Sequence, residues 1–77
     1  MRFSAEELNT VLAYIKEHAN RGVLDMEGYP AVARETGLTA GHTAAVFYFL
    51  CGEGKILQEG NRVLLLDGSP YENGTEV

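Results

Sequence analysis

The 77-residue chain has no tryptophan, one cysteine, two prolines and only six lysine or arginine residues. Each scarcity removes a class of explanation. With Cys51 alone no internal disulfide can form, so a reducing cytoplasm is the expected setting. No apolar run nears the roughly 20 residues of a membrane span. The opening MRFSAEEL lacks the charged-then-apolar order of a secretory signal. His18, His42 and Cys51 are the only soft metal ligands, and no two have the close spacing of a zinc site. There is no glycine-rich phosphate loop, no carboxylate pair with an obvious cleft and no Ser-His-Asp set, so neither an enzyme nor a cofactor is expected.

The shortage of cations bears on ligands. The net charge is −5. Residues 1–66 hold all six Lys and Arg against eight Asp and Glu, while Asp67, Glu72 and Glu76 make the end of the chain acidic. Non-specific DNA affinity comes mostly from neutralising phosphates, so this balance predicts weak, salt-sensitive binding at best.

What is present is a well-marked set of elements for one small domain over residues 1–66. A chain this short buries only about 60% of its unfolded surface, which leaves little room for waste. Ser4 and Glu7 form an S-x-x-E capping box, flanked by Phe3 and Leu8 at the positions of a hydrophobic staple. Leu8, Val11, Leu12, Ile15 and Ala19 then recur at helical spacing, and Gly22 is the expected left-handed stop. Val23 to Tyr29 reads as a connector with room for a short strand at Val23–Leu24. Pro30 suits the first turn of a second helix reaching Thr36, with Val32 and Ala33 inward. Gly37 supplies the positive φ of a tight turn, and Leu38 plugs the space beneath it.

Thr39 is the expected N-cap of a third helix, whose Thr43, Val46, Phe47 and Leu50 share one face. Gly52 and Gly54 end it. Lys55 to Gln58 and Arg62 to Leu66 read as a two-stranded hairpin around a Gly60-Asn61 turn, with Ile56, Val63 and Leu65 inward. The outward Leu57, Leu64 and Leu66 are expected to be covered by the N-terminus or the tail. Residues 67–77, DGSPYENGTEV, have turn formers without periodicity and read as a flexible acidic tail. Its last three residues have the shape of a PDZ ligand, a match that three positions often give by chance.

The fold class is thus α+β, mostly α: three helices and a C-terminal two-stranded hairpin. From Gly37 onward the chain resembles winged helix-turn-helix regulators, such as the MarR and related bacterial families. Those commonly run Gly-Leu-Ser-x-x-Thr-Val, then a helix with Leu at core spacing, then Gly-x-Ile leading into the wing. The matching residues here are Gly37, Leu38, Thr39, Thr43, Val46, Phe47, Leu50, Gly54 and Ile56. The resemblance implies a DNA-binding transcription regulator acting as a dimer or with a partner. It would put base and phosphate contacts on Ala40, Gly41, His42, Ala44, Ala45 and Tyr48, where such families carry Arg, Lys, Ser, Asn or Gln.

None of those six can make the bidentate guanine contact worth about 1–3 kcal/mol. Arg34, Lys55 and Arg62 remain for phosphates, with His42 and Tyr48 to probe the groove. Three phosphate contacts give a salt slope of only about −2.7. The alternative is a protein–protein interaction module, because small residues rimmed by Tyr48 and Phe49 let another backbone approach closely. The bland account is that Ala is simply the best helix former and Phe49 covers the hairpin.

Overall fold

The computed structural model describes residues 2–74. Helix α1, Ala5–His18, begins where Ser4 Oγ accepts the Glu7 N–H at 3.2 Å. Only that half of the capping box forms as expected, since the Glu7 carboxylate bonds instead to His42. Phe3 and Leu8 are both buried in one core cluster. Leu8, Val11, Leu12 and Ile15 complete the stripe, each with almost no exposure.

The end of α1 differs from the expectation. Ala19 is already extended, and its N–H closes on the Ile15 carbonyl. Gly22 (φ 79°) serves with Arg21 (φ 56°) as the middle of a tight turn whose flanks, Asn20 and Val23, exchange two N–H···O bonds. Two successive positive φ angles give the turn the twist of the strand that follows. Gly22 therefore opens β1 rather than stopping α1.

Strand β1 is Val23–Asp25, β2 is Ile56–Glu59 and β3 is Arg62–Leu65. Both β1 and β2 run antiparallel to β3, in the order β1-β3-β2. The expected two-stranded hairpin is thus a three-stranded sheet. The reason is burial: paired with Val63 on the inner face, Leu24 sinks to 4% exposure, which a loose connector would not give it. The same pairing covers a β3 edge that would otherwise stand open. Gly60 (φ 61°) carries the turn between β2 and β3.

Helix α2 is Tyr29–Thr36, with Pro30 in its first turn and Val32 and Ala33 buried. Gly37 caps it in the left-handed conformation at φ 81°, as the turn requires. Helix α3 is Ala40–Gly52, capped by Thr39, whose Oγ1 accepts the His42 N–H at 3.0 Å. Thr43, Val46, Phe47 and Leu50 are fully buried. The Thr43 hydroxyl donates to the Thr39 carbonyl at 2.8 Å, so its burial leaves no polar group unsatisfied. The class is α+β, about half helical.

Two surface expectations need correction. The segment from Asp67 to Tyr71 lies against the domain: the Asn9 amide accepts the Tyr71 N–H at 2.7 Å and donates to its carbonyl at 2.9 Å. Tyr71 is half-buried against the core. Residue 66 is therefore not where packing ends. Thr75 to Val77, including the PDZ-like end, fall outside the described residues. Of the three outer leucines Leu64 is half-buried, but Leu57 is 47% and Leu66 59% exposed and so not covered as expected. No helix among the described residues is long and apolar enough to cross a membrane.

Candidate functional site

Inner-face packing fixes α3 so rigidly that its outward side is a defined surface. Ala40, Ala44, Tyr48 and Gly52 form one row at four-residue spacing, and Gly41, Ala45, Phe49 and Glu53 form the row beside it. Tyr48 stands 84% exposed. Along these two rows runs a groove of about 520 Å³ lined by Phe3, Ala45, Tyr48, Phe49, Gly52 and Glu53. The space above Gly41 and Gly52 is open, with nothing within 4 Å of where a Cβ would stand. Core packing therefore does not require glycine at either position.

Phe3 supplies the far wall. Its ring lies 5.3 Å from that of Phe49 and 5.5 Å, edge-on, from the His42 imidazole. Phe49 thus packs on Phe3 of the N-terminal segment. His42 turns away from the outward rows: its Nε2 meets a Glu7 carboxylate oxygen at 2.5 Å and ties the start of α3 to the start of α1. Of the six residues expected to form a contact face, five share the outward side and His42 is committed to α1.

The three expected phosphate contacts lie apart, on α2, the α3–β2 loop and β3. Lys55 is only 14% exposed, with Nζ 2.8 Å from the Ser69 carbonyl, 3.5 Å from Asp67 and 4.9 Å above the Tyr71 ring. It is a fastener for the tail. Arg62 sits 3.6 Å from Asp25 of the neighbouring strand. Arg34 is exposed in the last turn of α2 and makes no ion pair with the described residues.

The fastener has its own electrostatics. Hydrogen bonds from the Ser69 hydroxyl and N–H, with Lys55 nearby, hold the Asp67 carboxyl below its ordinary pKa of 3.8. Burial, and then the Glu53 carboxylate, push the Tyr71 phenol above its ordinary 10.0.

A second cleft, about 620 Å³, lies between α1 and α2 beside Thr10, Tyr14, His18 and Glu35. Two of its polar residues are engaged with each other and with a carboxylate: the Tyr14 and His18 rings meet at 4.3 Å, tilted by 36°, and His18 Nε2 lies 3.3 Å from Glu35. Among the described residues no three His, Cys, Asp or Glu could hold a metal.

Phe3, Gly52 and Glu53 escaped the sequence reading of this site. Gly52 and Glu53 lie seven and eight positions after Ala45, a spacing that marks one side of a helix, but Gly52 was read as a stop signal. Phe3 was hidden by its staple role. Comparison with known protein families, with curated proteins and with solved structures finds no match.

Proposed function

We propose that this chain is a winged-helix-like domain serving as a protein-docking module, with the outward side of α3 as its contact surface. The observation that carries the reading is a mostly apolar groove, with Glu53 its one charged lining residue, beside a Tyr48 that is 84% exposed. Tyr is enriched among the residues that dominate binding, and the small residues beside it let a partner approach closely. Three helices followed by an antiparallel hairpin support the winged-helix assignment. With a single half-buried cysteine and no membrane-spanning helix among the described residues, a cytoplasmic adaptor is the setting proposed.

The second reading is a transcription regulator that places α3 in a DNA groove. Helix order and the surface position of α3 favour it. Its phosphate contacts would fall to Arg34 and to Arg62, with Lys55 available only after leaving Asp67 and Ser69. Such a protein would bind DNA as a dimer and lose affinity steeply with salt.

Two assays separate the readings. Retention of mixed duplex DNA in a mobility-shift assay at low salt would support the regulator, and its absence there would end that reading. Light scattering and partner recovery with Ala44→Arg and Tyr48→Ala test the docking surface. Unchanged mass and unchanged recovery in both variants would remove it.

A further inference from the structure

Resting on the docking reading, we propose that the occupant of the α3 groove is an amphipathic helix from another protein, with a Lys or Arg at the end that meets Glu53. The groove follows α3 from Ala45 to Glu53. Eight residues of helix span about 12 Å, the length of roughly two turns of an apposed helix. Ala45 and the open space over Gly52 form a floor that a bulky aliphatic side chain can reach, with Tyr48 on one side and Phe3 and Phe49 on the other. Anchors three or four residues apart on a partner helix would fill that floor.

Charge selects the kind of helix. Glu53 is exposed at the C-terminal end of the groove, where it accepts a hydrogen bond from the Tyr71 hydroxyl at 3.4 Å, and none of the lining residues is a cation. The carbonyl end of α3 adds partial negative charge there, and the last turn carries no basic residue to offset it. Lys55, two positions on, points instead to Asp67 and Ser69. A second copy of the chain is the poorer occupant. It brings a net charge of −5 toward a charge of the same sign, and its own groove offers no cation to Glu53.

The test titrates the full chain into two fluorescently labelled model helices with identical leucine positions, one completed with lysine and the other with glutamate, and reads anisotropy. The lysine helix is expected to bind at least about tenfold more tightly. Glu53→Lys should weaken it about five- to tenfold, whereas Glu17→Lys, the same charge change at an exposed site on α1, should cost less than about twofold. Tyr48→Ala should weaken the lysine helix about tenfold or more.

Equal losses in Glu53→Lys and Glu17→Lys would reduce the effect to diffuse attraction and overturn the proposal. Equal binding of the two helices would overturn the cationic partner while sparing the docking surface. Self-association that Tyr48→Ala abolishes would make a second copy the occupant instead. Binding of neither helix, with the chain monomeric by light scattering, would overturn the docking reading itself.

Discussion

Helices α1 and α3 are close in length, 14 and 13 residues, and each buries one side in the same core. Their other sides have little in common. Toward water α1 presents Glu6, Lys16 and Glu17, whereas α3 presents Ala40, Gly41, Ala44 and Tyr48. Charged residues on the outer face are what a surface helix normally carries, and a helix apolar all round is normally buried all round. By that standard α1 is complete within this chain. Helix α3 is not. The lesson is that the fold accounts for only half of α3.

The comparison breaks first if the inner faces are unequal. Phe47→Ala should destabilise the domain by about 3–5 kcal/mol and Leu12→Ala by about 2–5 kcal/mol, read by urea or thermal unfolding. A loss below about 0.5 kcal/mol at Leu12 would mean that α1 is not anchored as described. An intermediate effect is expected at Asn9, whose side chain grips both backbone groups of Tyr71. Asn9→Ala should cost about 1–2 kcal/mol and speed hydrogen exchange at the Tyr71 amide. Unchanged exchange there would show that the grip does not persist in solution.

The outer faces give smaller changes and a sharper contrast. Tyr48→Ser should alter stability by no more than about 0.5 kcal/mol, like Lys16→Ser on α1, while only the α3 change disturbs docking. A loss above about 1 kcal/mol at Tyr48 would mean that the ring serves the fold.

The smallest effect is in pH. The Asp67 carboxyl is held below 3.8 in the folded chain, so its contribution is full above that value and fades as the pH falls through the depressed one. Ser69→Ala removes the hydroxyl bond but keeps the N–H one, so it should reduce that acid-side dependence, followed through the Tyr71 amide exchange. The same dependence in Ser69→Ala would assign it to another group.

Much of the core was legible because its signals are local. The stripe from Leu8 to Ile15, the Gly37 turn and the Thr39 cap each depend on neighbours within about one helical turn. The outward row of α3 could be read for the same reason. What stayed hidden depends on distant partners. Val23–Asp25 is too short to show alternation and becomes a strand only because β3 arrives beside it. Lys55 looked like a free cation because nothing near it in sequence announces Asp67, Ser69 and Tyr71 as its neighbours. Likewise Glu7 fitted its capping box well, and only the approach of α3 gives it a stronger partner in His42.

The position of β3 between β1 and β2 has a kinetic consequence. The β2–β3 hairpin can close on its own, but β1 reaches β3 only after the chain has traversed both α2 and α3. That long loop costs entropy before its contacts return anything. Assembly of the sheet should therefore be the late, cooperative step, and unfolding should release strand and helices together. An excised α3 peptide would then lack the Phe3 wall and the rigid backing that turn its outward residues into a groove.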